Sequence, residues 1–284
     1  MLDYQPTPIQ ELFDPMLSAK DVRLSVKRED LNHPAISGNK WWKLKYNLAE
    51  AQQLGHNTLL TYGGAYSNHI YATAAAAHAC GLKSIGVIRG EETTPLNDVL
   101  KFAIENGMFL HFISREEFKT KNDEHQIQKL KAKFGEFYVI PEGGSNEFAI
   151  KGIEEFTTLL GNDFDYLCCA VGTGATLAGI IRGLKGNKNI MGFTVLKGDG
   201  WEGEILKFSP TYNNWRLIQD YHEGGFAKTN PVLTQFMKSF TAKHNIPVEH
   251  VYTGKMFKGI FDLVSKGYFN RGSRILAIHT GGIH

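Results

Sequence analysis

A lysine that opens a helix just after small polar residues is placed to act as a nucleophile. Lys40 follows Ser37, Gly38 and Asn39 and precedes Trp41 and Trp42 in SGNKWWKLK. Two indoles beside an amine would desolvate it, lower its pKa and free its lone pair for attack. The same spacing also suits an ordinary surface lysine. A second segment, TYGGAYSNHIYATAAAA, ends a β-rich run on Gly63 and Gly64 and starts a helix near Ser67, Asn68 and His69. The free N–H groups of a helix start attract an anion such as a carboxylate. Ser67 or Asn68 can equally be a plain helix cap, and a lone histidine such as His69 more often packs than catalyses. A third segment, AVGTGATLAGI, joins an apolar strand to a helix through Gly172, Thr173, Gly174, Ala175 and Thr176. It lacks the Gly-Lys-Ser/Thr of a nucleoside-triphosphate loop, and no clear acidic residue stands where a dinucleotide site wants one. One phosphate suits it better than a dinucleotide. Near the C-terminus, VYTGK carries Tyr252, Thr253 and Lys255, and HTGG carries His279 and Thr280 at the end of a strand.

The elements that must position these residues alternate. Strands are expected at Val22 to Asp30, NTLLTY, SIGVIRG, FLHFIS, FYVIPEGG, YLCCAVG, IMGFTVL and RILAIHTGG. Helices are expected at Trp41 to Leu54, from Ser67 or Asn68 to Gly81, over LNDVLKFAIENG, and at Asp123 to Phe134, Glu147 to Leu160, from Ala175, Val232 to His244 and Lys255 to Lys266. Such alternation predicts an α/β fold with mostly parallel twisted sheets flanked by helices. There are more strands than one compact sheet usually holds, so two domains with a cleft between them are expected. All four chemical segments fall where a strand ends or a helix begins, which is where open α/β sheets bind ligands.

The composition excludes several classes. With 31 basic and 29 acidic residues the net charge is +2, and no basic block marks a nucleic-acid binder. KLKAKF, at 129–134, reads as the solvated face of a helix. No apolar run approaches the ~18 residues of a membrane span, and the start MLDYQPTPIQ lacks the pattern of a secretory signal. A cytoplasmic protein is the expectation. Cys80, Cys168 and Cys169 are too few for a disulfide framework, and Cys168 and Cys169, in the apolar run YLCCAV, read as buried thiols. No metal site is expected, since neither Cys-x-x-Cys nor a helical histidine pair occurs.

Taken together, SGNKWWKL, YGGAYSNH, PEGGSN, GTGATLAG, VYTGK and HTGG, in this order from about Thr7 to Gly282, resemble the 1-aminocyclopropane-1-carboxylate deaminase and D-cysteine desulfhydrase family. That family belongs to the tryptophan synthase β-like, fold type II pyridoxal-phosphate enzymes. The resemblance implies a large cofactor-binding domain from 1–47 and 142–284, a small α/β domain from 48–141, and a homodimer. It implies that Lys40 holds pyridoxal 5′-phosphate covalently and that Asn68 meets the ring's phenolic oxygen. Gly172, Thr173, Gly174, Ala175 and Thr176 would hold the phosphate. Thr280 would meet the pyridine nitrogen, with Thr253 as second candidate. Ser67, Asn68, His69 and Tyr252 would face the substrate, and Lys40, Ser67 and Tyr252 would be catalytic. In that scheme Lys40, displaced by the substrate's amine, removes the α-proton, a β-leaving group departs, and a keto acid and ammonia result.

Two departures from the family pattern bear on the activity. Members that open the cyclopropane ring carry a glutamate directly after the tyrosine of VYTGK, where this chain has Thr253. They also carry a second tyrosine in a loop similar to YHEGGFAK, where Phe226 stands and Tyr221 lies nearby. A neutral partner leaves the pyridine ring a weaker electron sink. The sequence therefore leans toward β-elimination from D-cysteine-like amino acids. Ring opening, racemisation with Tyr252 as second proton donor, and a silent amino-acid-binding protein are the alternatives.

Overall fold

The computed structural model describes residues 2–209 and 211–283. Two sheets carry the expected strands and two more. The larger sheet runs β1 (Ile9–Leu12), β2 (Arg23–Lys27), β10 (Arg274–Ile278), β7 (Tyr166–Val171), β8 (Asn189–Thr194) and β9 (Trp215–Ile218). Only the β1–β2 pair in it is antiparallel. The smaller sheet, ordered β5 (Met108–Ile113), β4 (Lys83–Arg89), β3 (Thr58–Gly64) and β6 (Tyr138–Ile140), is parallel throughout. The expected α/β fold with mostly parallel sheets is what the chain forms.

The larger sheet is covered on both faces, and period-two alternation divides its side chains between them. From β7, Leu167, Cys169 and Val171 join the core beneath the helices Asn39–Gln53, Glu147–Thr157 and Ala175–Leu184. Cys168 and Ala170 point the other way, into a core with the helix Thr253–Ser265 and Phe240 of the helix Pro231–His244. Strand β10 does the same, with Leu276 and Ile278 on one side and Ile275 and Ala277 on the other. This is why YLCCAV and the ILAI of β10 read as unbroken apolar runs. Cys168 and Cys169 are buried free thiols.

Some boundaries differ from expectation, each for a local reason. The strand expected over Val22 to Asp30 stops at Lys27, because Glu29–Leu31 turns in a 3-10 helix around the buried Glu29. That carboxylate accepts from Tyr4, Thr7, Asn32 and the Trp42 indole, with Lys27 3.6 Å away. Strand β6 stops at Ile140, before Pro141 and the left-handed Gly143 and Gly144. Strands β1 and β9 were not expected: both are four-residue edge strands with mixed polarity. The C-terminal helix begins at Thr253, two residues before Lys255.

Candidate active site

The carboxyl ends of β3, β4, β7 and β10 converge on a cavity of about 330 Å³. Its wall contains Lys40, Ser67, Asn68, His69, Gly172, Thr173, Gly174, Thr176, Tyr252 and Thr280. Five segments far apart in sequence thus meet in one place. Ala175 and Thr253, expected to touch the cofactor, are buried but do not line the cavity. Lys43, Arg89 and Phe226 line it as well.

Lys40 is the second residue of the helix Asn39–Gln53. The turn before it is locked from both sides. Gly38 donates to the Glu29 carbonyl at 2.9 Å and to Asn32 Oδ1 at 2.9 Å, and Asn39 donates to the Thr280 carbonyl at 3.3 Å. The Lys40 amine donates to Asn39 Oδ1 at 3.0 Å, and Asn39 Nδ2 donates to Thr176 Oγ1 at 2.8 Å. Trp41 and Trp42 are not beside that amine. They pack with Tyr4 in the core, their indoles bonded to the Asp3 carbonyl and to Glu29. The desolvation expected of them comes from the cavity wall: burial pulls the Lys40 pKa down to about 8, and Glu249 partly opposes the shift.

Lys43, one turn along the same helix, donates to the Gly143 carbonyl at 2.8 Å and is buried, with its pKa also well below the ordinary lysine value. Among the described residues, neither Lys40 nor Lys43 has a carboxylate within ion-pair reach. A buried cation without a counter-ion is costly. Opposite stands the helix Ala175–Leu184, capped by left-handed Gly174, and among the described residues no side chain caps its first N–H groups. Gly172 and Gly174 line the cavity without a side chain, and a Cβ on either would crowd Tyr252 or Ile205 at 3.1 Å. Thr173 is steadied by Ser145, whose hydroxyl donates to it at 2.8 Å. Open N–H donors, unpaired buried lysines and a neutralisable amine together fit pyridoxal phosphate, which brings both a phosphate and an aldehyde.

Ser67 is the cap of the helix Asn68–Ala79; its hydroxyl accepts from His69 N at 3.2 Å and Ile70 N at 3.4 Å. The alternative of Asn68 as cap is not realised. Asn68 lies against Gly282, where any Cβ would strike its amide. His69 is fully enclosed, with Nε2 2.9 Å from the Thr61 hydroxyl. Burial, then Lys40 and Lys43, hold its ring neutral. Thr61 in turn donates to the Ile140 carbonyl at 2.8 Å, so His69 ties its helix to β3 and β6.

Tyr252 caps the helix Thr253–Ser265 and lies over Gly172, with Phe226 edge-on at 6.2 Å between ring centroids. Burial, and then Glu249 and Glu142, raise its pKa far above the ordinary tyrosine value, so the phenol keeps its proton. Glu249, unremarkable in the sequence, organises this corner. Its carboxylate accepts from Val251 N, Tyr252 N and Thr253 N at 2.6, 2.9 and 2.7 Å, and from the Thr253 hydroxyl at 3.1 Å. Thr253 therefore spends its hydroxyl on Glu249, and of the two C-terminal threonines Thr280 is the one that lines the cavity. Tyr221 is likewise committed: it is buried in the core and donates to Asp262 at 2.5 Å. Phe226 is thus the residue of its loop at the cavity.

A pKa of about 8 for Lys40 has a direct consequence. Only the neutral amine attacks an aldehyde. The rate at which apoenzyme takes up pyridoxal phosphate is expected to climb with pH to about 8 and flatten above it, as followed by stopped-flow absorbance. A climb continuing to pH 10 would mean that the amine is solvated.

The sequence model of the family described as pyridoxal-phosphate dependent enzyme matches residues 1–281. The chain is 33% identical over 304 residues to a putative 1-aminocyclopropane-1-carboxylate deaminase of Thermotoga maritima, covering 99% of this chain and 95% of that one. It is 31% identical over 313 residues to the bifunctional D-cysteine desulfhydrase/1-aminocyclopropane-1-carboxylate deaminase of Arabidopsis thaliana mitochondria, covering 99% and 77%. The crystal structure of an ACC deaminase homologue superposes with a TM-score of 0.86 at 30% identity, covering 100% of this chain and 91% of the other. The chain belongs to the pyridoxal-phosphate-dependent enzymes, in the family of 1-aminocyclopropane-1-carboxylate deaminases and D-cysteine desulfhydrases.

Proposed function

We propose that this enzyme eliminates a β-leaving group from a small D-amino acid, with D-cysteine and water giving pyruvate, ammonia and sulfide. The observation that carries the choice is the neutral hydroxyl of Thr280 at the cavity wall, with the Thr253 hydroxyl turned onto Glu249 at 3.1 Å. Relatives bear the names of both activities, one of them bifunctional, so the names alone do not choose.

Pyridoxal phosphate, when bound, supplies an aldehyde that takes an amine and a conjugated ring that accepts charge from the α-carbon. The residues of this chain do the rest. Lys40 would hold the cofactor and yield its place to the substrate's amine. Its freed amine, whose pKa of about 8 suits a base near neutral pH, then takes the proton from the substrate's α-carbon. Ser67, whose hydroxyl oxygen takes the His69 and Ile70 N–H groups and leaves its proton to donate, would orient the substrate carboxylate. Asn68 would bond the phenolic oxygen, and Gly172, Thr173, Gly174 and Thr176 would hold the phosphate. Tyr252, protonated, is the donor on its side of the cavity and can hand its proton to the departing sulfur. With a neutral partner at the pyridine nitrogen, charge on the α-carbon is poorly stabilised, so reactions that expel a good leaving group as the proton departs suffer least. Ring opening starts at a carbon without an α-proton and suffers most.

The division into 1–47 with 142–284 and 48–141, a homodimer and a cytoplasmic location are kept as parts of the same proposal. Among the described residues no helix is long and apolar enough to cross a membrane. The test is a comparison of keto-acid release by the purified enzyme. D-cysteine, or β-chloro-D-alanine, is expected to give pyruvate at least about tenfold faster than 1-aminocyclopropane-1-carboxylate gives 2-oxobutyrate, a difference of ~1.4 kcal/mol in barrier. Faster ring opening would make deaminase the better description.

A further inference from the structure

Lys255 belongs to the VYTGK segment, yet the chemistry above leaves it without a task. Its side chain is 1% exposed, and a lysine so deeply placed needs partners for its ammonium. No carboxylate lies within ion-pair reach among the described residues. The partners are two backbone carbonyls of one loop, His222 O at 2.8 Å and Gly225 O at 2.7 Å.

That loop is unusual in its own right. Between His222 and Lys228, Glu223, Gly224, Gly225 and Ala227 all have positive φ, at 54°, 93°, 121° and 55°. Two of these are not glycine, and such a backbone persists only when its surroundings over-determine it. Its internal bonds are few: Gly225 N to His222 O at 3.0 Å, Lys228 N to Gly225 O at 3.1 Å and Gly224 N to His222 Nδ1 at 3.0 Å. Outside, Glu223 pairs with Lys258 at 2.8 Å and accepts from the Asn230 side-chain amide. Inside, only the Lys255 ammonium bonds both carbonyls. The loop carries Phe226, which lines the cavity and meets Tyr252 edge-on. Tyr252 and Lys255 share the first turn of one helix. One turn of backbone therefore sets Tyr252 in place and, three residues on, sets the height of the loop that carries Phe226.

We infer that Lys255 is a positioning residue that pins the His222–Lys228 loop through the His222 and Gly225 carbonyls, so fixing Phe226 against Tyr252 and setting which substrate side chains the cavity admits. The inference rests on the elimination reading only for the choice of substrate. The occupant it describes is a small β-substituent of the substrate, bounded by the edge-on Phe226–Tyr252 pair.

The test uses the holoenzyme and Lys255→Met, which keeps the length and apolar stem of the side chain and removes its donors. Amide exchange of the 222–228 segment is expected to quicken about tenfold or more, the scale of one charge-assisted hydrogen bond. KM for β-chloro-D-alanine is expected to rise about tenfold with kcat within about threefold, the split that marks lost binding rather than lost chemistry. The cofactor's visible absorbance and affinity are expected to stay as in the wild type. Unchanged exchange, or unchanged KM, overturns the inference. Should Lys255→Met not fold, Glu223→Gln decides. With Lys255 intact the loop is expected to stay protected, whereas a loop that opens in Glu223→Gln assigns the hold to the Glu223 contacts with Lys258 and Asn230 and refutes the role given to Lys255. A wild type that eliminates from no D-amino acid sinks the elimination reading instead, and the exchange measurement still judges Lys255.

Discussion

Lys40→Ala is expected to yield a folded protein that lacks the wild type's visible cofactor absorbance and turns over substrate about a thousandfold more slowly, or worse. The fold should survive because the Lys40 amine makes one hydrogen bond, to its neighbour Asn39 at 3.0 Å. The network that shapes the turn consists of backbone and Asn32 bonds that alanine leaves intact. Removing a desolvated amine also removes a group that the folded state holds at a cost, so the midpoint of urea unfolding for the apoenzyme should not fall. Chemistry should collapse because one amine serves twice, first as tether and then as base. The informative control is borohydride reduction of the wild type followed by peptide mapping. Lys43 is the rival: it lines the same cavity and is also depressed by burial. Its amine, however, is committed to the Gly143 carbonyl at 2.8 Å. Reductive labelling on the peptide with Lys43 modified, or visible absorbance retained in Lys40→Ala, would refute the assignment.

Much of this site can be read from the sequence, for a reason that particular residues make clear. Lys40, Ser67, Gly172 to Gly174 and Thr280 each stand at a strand end or helix start, and the rule that such ends gather ligands holds whatever the details of packing. Arg89 ends β4 and Lys43 lies one turn beyond Lys40 in SGNKWWKLK, so the same rule and helical spacing could have found both. What spacing does not carry is side-chain direction set by distant partners. The Trp42 indole turns to a carboxylate 13 residues earlier in the chain, and Thr253 turns to one four residues earlier. Glu29 and Glu249 look like solvated acids in a string of letters, because what makes them hubs is the convergence of donors from Tyr4, Thr7 and Asn32 on one and of a helix start on the other. Edge strands β1 and β9 escape for a related reason: short pairing at a sheet's rim needs a neighbour more than it needs an apolar pattern.

Gly38→Ala is expected to be the most damaging single methyl in the chain. Gly38 has φ 69° and ψ −143°, a backbone region that side-chain-bearing residues rarely adopt. A Cβ there would intrude on the Thr280 carbonyl and on Gly281 N, all of it backbone, so no rotamer change can relieve it. The two segments pressed together are the turn that aims Lys40 and the end of the last strand, which also joins Asn39 N to Thr280 O at 3.3 Å. Strain and overpacking together should cost about 3 kcal/mol or more, read as a fall in the urea midpoint of the apoenzyme at unchanged slope. Gly55→Ala separates the two contributions: φ is 75° and nothing lies within 4 Å of the added atom, so strain alone should cost ~1 kcal/mol. Whatever Gly38→Ala protein remains folded must have moved Lys40, Thr280 or both, and its affinity for pyridoxal phosphate should fall while that of Gly55→Ala does not. Equal midpoints and equal cofactor affinities for the two variants would mean that the turn and the strand end are not in contact, and that Thr280 is not held where it faces the cavity.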